Sequence, residues 1–154
     1  MTESRIYHVG IVVAEMEPAM AELTAVTGVS WGRVQRAVPV PFDTPAGPQT
    51  WNVTFVYSTE PPYLELIQQV EGTVWENTGF HHLAIWSEDV NAESIALQAQ
   101  GCNWQAAMSD GAGGRIGGCY HLLDAASCRI ELSDARQGRT RMARYLAGSD
   151  YLGD

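Results

Sequence analysis

Positive charge is scarce in this chain. Its 154 residues carry 9 Lys+Arg against 18 Asp+Glu, a net charge of -9. No basic cluster precedes Arg136, Arg139, Arg141 and Arg144. Nucleic acid is therefore not an expected partner, because phosphate binding needs a basic footprint. A polyanionic substrate is disfavoured for the same reason. Long apolar runs are also missing: none approaches the roughly 20 residues that span a bilayer, so no membrane partner is expected. The opening Met1-Thr2-Glu3-Ser4-Arg5 moves straight into a strand pattern, without the apolar core of a signal peptide. Cysteine is sparse as well. Cys102, Cys119 and Cys128 are odd in number and show no CxxC spacing, which fits reduced thiols in a cytoplasmic protein. Nothing is low-complexity. What remains, 45% hydrophobic and 18% charged residues, is the composition of a globular chain long enough for one domain with a core.

Against these absences stands a degenerate internal repeat. The first copy opens Tyr7-His8-Val9-Gly10-Ile11-Val12-Val13, and the second opens His81-His82-Leu83-Ala84-Ile85-Trp86-Ser87. The copies close on Leu64-Glu65-Leu66 and Ile130-Glu131-Leu132. His8 and His82 are 74 residues apart, Met16 and Val90 keep that offset, and Gly28 and Gly101 differ from it by one. In copy one the pattern predicts a strand over 6–13, a helix over 17–27 ended by Gly28, and strands near 31–37, 50–57 and 63–69. In copy two it predicts a strand over 82–86, a helix over 91–100 ended by Gly101, and strands near 103–107, 117–123 and 129–133. Residues 39–48, rich in proline, read as a loop. Gly111 to Gly114 read as a mobile loop, 72–79 as a linker, and 136–147 as a terminal helix.

Each copy is thus βαβββ, and neither could bury its sheet alone. The expectation is a single α+β domain over 1–154, with module one at about 4–71 and module two at about 79–134. The two modules pair into a cupped mixed sheet. Alternation along the strands sends Val9, Ile11, Val13, Leu64 and Leu66 under the helix, and His8, Glu65, His82 and Glu131 to the opposite face. His81 is expected to point away from His82. Two imidazoles and two carboxylates make a neutral shell around a dication and suit Zn, Ni, Co, Mn or Fe(II).

The segments YHVGIVV, PYLELIQ, HHLAIW and CRIELSD resemble the vicinal oxygen chelate superfamily, which includes glyoxalase I, methylmalonyl-CoA epimerase, extradiol dioxygenases and the fosfomycin and bleomycin resistance proteins. The resemblance covers nearly the whole chain and is closest to glyoxalase-like and epimerase-like members. It implies the metal ligands His8, Glu65, His82 and Glu131, a small-molecule substrate, and often a homodimer. It also implies that Glu131 and Glu65 take part in proton transfer. The expected activity is that of a metal-dependent isomerase, epimerase or lyase acting on an acyl thioester or 2-oxo compound through an enolate. The alternatives are a small-molecule sequestering protein of the bleomycin-resistance type and an Fe(II) dioxygenase. The epimerases' separate catalytic Glu has no counterpart in Asp43-Thr44-Pro45-Ala46-Gly47-Pro48-Gln49-Thr50, where Asp43 is the nearest substitute. Outside the quartet, His121 is a candidate acid or base. Trp86, Asn52, Thr54 and Arg115 are candidates to line the substrate pocket, Trp86 for its shared face with His82 and Arg115 as a carboxylate clamp.

Overall fold

The structure, a computed structural model, describes residues 4–152. Module one comprises β1 (Ile6–Val13), α1 (Met16–Thr27), β2 (Gln35–Thr44), β3 (Gly47–Tyr57) and β4 (Tyr63–Gln68). Module two repeats the order with β5 (Gly79–Ser87), α2 (Val90–Ala99), β6 (Asn103–Ser109), β7 (Arg115–Leu123) and β8 (Cys128–Asp134), and α3 (Ala135–Leu146) follows. The eight strands form one closed ring in the order β1-β4-β3-β2-β6-β7-β8-β5. In each module the first strand lies parallel to the last, β1 beside β4 and β5 beside β8. The modules meet through the antiparallel β1–β5 pair, and a short β2–β6 pairing at Phe42–Met108 and Asp43–Ala107 closes the ring. The α+β class and the paired βαβββ modules are as the repeat implies. The cup is closed further than alternation alone indicates.

Strand alternation sorts the core into three parts. Inside the ring, Val12, Val40, Phe42, Val53, Phe55, Tyr57, Ile67, Ala106 and Tyr120 pack together, joined by Trp75 and by Met142 and Tyr145 of α3. Outside it, Met16 of α1 clusters with Val56 and Leu66, and Val90 of α2 with Ala107, Cys119 and Leu132. Each helix therefore removes from water the apolar outer face of its own module.

Two expected boundaries are corrected. The proline-rich segment 39–48 is not a loop. β2 runs through Pro39 and Pro41, and only Pro45 and Ala46 separate it from β3. Both strand prolines are exposed, alternating with buried Val40 and Phe42. β2 pairs with β6 only near its end, so most of its second edge demands no N–H donors, and proline is tolerated there. Gly47 takes a positive φ of 113° in the turn, a conformation open to glycine. The strand expected from Trp31 begins only at Gln35. Trp31 instead makes a single bridge to Ser58, and its indole N–H lies within hydrogen-bonding distance of Met20 O and Thr24 Oγ1 of α1. The segment 72–79 is more than a linker, because it delivers Trp75 into the ring against Phe42, Trp51 and Tyr120. The loop 111–114 is held by Asp110, whose carboxylate accepts from the N–H groups of Ala112 and Gly114.

Candidate metal centre

His8 on β1, Glu65 on β4, His82 on β5 and Glu131 on β8 come from four consecutive strands of the ring, β4-β1-β5-β8. All four are buried, His82 completely. One ligand atom from each lies within 4.8 Å of all the others. His8 Nε2 stands 2.9 Å from His82 Nε2 and 3.1 Å from Glu65 Oε2. His82 Nε2 stands 2.8 Å from Glu131 Oε2 and 3.3 Å from Glu65 Oε2. Room for this meeting depends on Gly10. It pairs directly with His82 across the β1–β5 ladder, and a Cβ there would occupy the space of the His82 ring.

Burial opposes charge on every member of this group, yet mutual attraction prevails. The His82 imidazole is disfavoured as a cation by burial, but Glu131 and Glu65 raise it to about 9. His8 is raised likewise by the two carboxylates against the effect of burial. Burial favours the neutral acids, but the two histidines hold Glu65 below and Glu131 well below the usual carboxylate range. Without a metal, protons on the imidazoles neutralise the carboxylates.

Glu65 Oε2 and Glu131 Oε2 are buried beside both imidazoles, yet neither receives a well-directed hydrogen bond. Buried anionic oxygens without donors are costly unless something positive faces them. Two imidazole nitrogens and two such oxygens aimed at one point fit a divalent ion of the zinc, nickel, cobalt, manganese or Fe(II) class. His8, Glu65, His82 and Glu131 could therefore hold a metal ion.

Behind these four groups sit two residues that alternation assigns elsewhere. The β1–β5 ladder slips twice. Between Ile6 and His8 the extra residue is Tyr7, and between Phe80 and His82 it is His81. Both are β-bulges, which re-aim a side chain that would otherwise face away. The expectation that His81 points away from His82 is thereby overturned: its Nδ1 lies 2.9 Å from His82 Nδ1, and its Nε2 lies 2.7 Å from Val74 O. Burial and the neighbouring His82 push the His81 imidazole down to about 4. Tyr7 O–H lies 2.8 Å from Ser133 Oγ, which donates in turn to Glu131 Oε1 at 3.1 Å. Tyr7-His8 and His81-His82 occupy equivalent positions, so the residue before each ligand is itself a repeated element.

A cavity opens beside the quartet. Glu65, Glu131 and Ser133 form its polar wall, and Phe42, Phe55, Tyr57, Trp75 and Tyr120 its aromatic one. Gly138 and Arg141 of α3 and Tyr151 of the tail border it. The other expected site residues lie elsewhere. His121 is fully buried beneath α2, 2.7 Å from Ser94 Oγ and 3.2 Å from Cys102 O. Arg115 lies over the Trp104 ring at 3.7 Å and donates to Ser94 Oγ, which ties β7 to α2 outside the ring. Asn52 is exposed between inward-facing Trp51 and Val53. Thr54 accepts from the N–H of Ala37, supporting the irregular start of β2. Trp86 stacks on Tyr7 at 3.7 Å and abuts Gly138, and is not among the residues that border the cavity. Asp43 pairs with Pro48 and Ala107 where the ring closes and does not border the cavity.

Residues 7–120 match the family described as Glyoxalase/Bleomycin resistance protein/Dioxygenase superfamily. The chain belongs to that superfamily. Among solved structures, this superfamily member is similar to a Streptomyces coelicolor methylmalonyl-CoA epimerase in complex with 2-nitronate-propionyl-CoA, at 18% identity and a TM-score of 0.55, over 87% of this chain and 99% of that one. A methylmalonyl-CoA epimerase from Mycobacterium tuberculosis is similar at 18% identity and a TM-score of 0.54, over 87% and 91% of the two chains. No curated protein matches this superfamily member in sequence. At these identities the neighbours establish the fold of the superfamily member and leave its reaction open.

Proposed function

We propose that this chain is a divalent-metal-dependent isomerase, epimerase or lyase that acts on a small carbonyl compound, an acyl thioester or 2-oxo compound, through an enolate. The observation that carries this is the pair of buried carboxylate oxygens that face two imidazole nitrogens without a well-directed hydrogen bond, on the wall of an aromatic-lined cavity. A bound ion supplies Lewis-acid stabilisation of negative charge that develops on a carbonyl oxygen. The chain's own residues supply the rest. Glu65 and Glu131 are ionised at neutral pH, the state that accepts a proton, and both face the cavity. Ser133 donates to Glu131 Oε1 and so orients that carboxylate. The aromatic wall keeps water from the reacting carbon. Asp43 alternates with inward-facing Phe42 and does not border the cavity, so proton transfer falls to the quartet itself. The likeness in fold to methylmalonyl-CoA epimerases makes acyl thioesters the first substrate class to test.

The test starts with metal content, by elemental mass spectrometry after chelation and reloading with each candidate ion. The loaded protein is then incubated in D₂O with a panel of acyl thioesters and 2-oxo acids, and exchange at the α-carbon is followed by NMR. About one ion per chain is expected from a single four-ligand site, with exchange that disappears in Glu131→Gln. No retained ion under any loading condition would overturn the proposal. Tight binding of an aromatic small molecule by the chelated protein would then favour sequestration in the same cavity.

A further inference from the structure

We propose that His81 is a positioning residue that locks His82 as a metal ligand, by accepting the proton on His82 Nδ1 and thereby leaving the His82 Nε2 lone pair for the ion position that His8, Glu65 and Glu131 share. This rests on the quartet being the metal site, and it concerns a residue outside the quartet. The argument follows the hydrogens. Val74 O can only accept, so His81 Nε2, 2.7 Å away, carries a proton and donates it. The other nitrogen of His81 faces His82 Nδ1 at 2.9 Å, and one proton lies between them. With its proton on Nε2, a neutral His81 imidazole presents Nδ1 as an acceptor, while Glu65 and Glu131 both face the far nitrogen of His82, Nε2. The shared proton therefore sits on His82 Nδ1 and points at His81. An acceptor at the outer ring nitrogen of a ligating histidine fixes both its tautomer and its ring orientation.

A bulge makes this possible. In a regular strand His81 and His82 would project to opposite faces. The slip between Phe80 and His82 turns His81 onto the side of His82, and both rings are buried. Tyr120 packs edge-on to both rings and holds the pair in place. The equivalent bulge in the first repeat delivers Tyr7 toward Ser133 and Glu131, not toward His8. His8 Nδ1 is buried without any partner, so the locking is specific to one of the two histidines.

The experiment uses ¹⁵N-histidine NMR on metal-free and zinc-loaded protein, together with zinc affinities from chelator competition. A through-hydrogen-bond coupling between His81 Nδ1 and His82 Nδ1 is expected in both states, with the proton on His82. His81→Phe, which keeps ring bulk and removes both bonds, is expected to weaken zinc binding about 10–100-fold. His81→Asn puts a carboxamide oxygen near the accepting position and is expected to recover most of that affinity. Zinc binding by His81→Phe equal to wild type, or a zinc-loaded His82 with no proton on Nδ1, would overturn the assignment while leaving the metal site intact. A wild-type chain that binds no zinc or other candidate ion would overturn both.

Discussion

At the scale of single residues, the site depends as much on what is missing as on what is present. Gly10 has no side chain where the His82 ring must pass. Gly10→Ala should drive His82 off its position, lower zinc affinity at least tenfold as expected when a ligand's support is lost, and cost about 1–3 kcal/mol from overpacking. Chelator competition and urea unfolding on one sample check both effects. His121 gives the contrast. His121→Ala removes buried hydrogen-bonding contacts with Ser94 and Cys102 O and should cost about 1–3 kcal/mol, with zinc stoichiometry unchanged. Loss of zinc in that variant would mean that β7 couples to the site more directly than its packing indicates. The quartet itself was legible in the chain, because four polar residues recur at matched places in two copies. His121 was misplaced because nothing along β7 signals which face α2 will cover.

At the scale of elements, α3 and the tail decide how the cavity is bordered. Asp134 caps α3 by accepting from Arg136 and Gln137 N–H, which satisfies donors at the helix start. Near the helix end, Tyr145 is nearly fully buried. Its hydroxyl donates to Arg33 O at 2.8 Å and accepts from Tyr57 N–H at 3.1 Å. Tyr145→Phe would leave that N–H of β3 without its acceptor, at a cost of about 1–3 kcal/mol. A lowered urea midpoint and faster amide exchange at Tyr57 are the expected results, and an unchanged midpoint would show that water replaces the hydroxyl. The terminal helix was visible in the sequence within a residue of its true bounds. Its role as a wall was not, because Met142 and Tyr145 find their partners only after the ring has closed. β2 was hidden for the opposite reason: local turn chemistry in Pro39, Pro41 and Pro45 outweighed an alternation that an open sheet edge allowed to win.

Across the whole molecule, the quartet links stability to pH, and the sign differs on its two sides. In metal-free protein, His82 is raised from 6.5 to about 9, so its contribution is fully present below pH 6.5 and is lost as pH rises through about 9. Glu65 and Glu131 are lowered from 4.5, so theirs is present above about that pH and is lost as pH falls through their depressed values. The chelated protein should therefore be most stable between these limits and weaken toward both. A bound ion replaces the imidazole protons, so zinc loading should flatten the alkaline limb and sharpen the acid one. Urea midpoints from pH 4 to 10, with and without zinc, check this; an alkaline limb that survives zinc loading would count against His82 as a ligand. No helix among the described residues is long and apolar enough to cross a membrane.

By itself the sequence determined the two βαβββ modules, the sorting of aliphatic residues under each helix, and the four residues that converge on one point. All of these follow from period and repetition, which are local properties of a chain. The tertiary structure alone decided ring closure through β2 and β6, the burial of His121 under α2 and the tie of Arg115 to that helix, and the bulges that turn Tyr7 and His81 toward the site. A bulge exists only relative to the partner strand's register. His81 changes sides because β1 and β5 pair out of step, and no pattern within either strand carries that information.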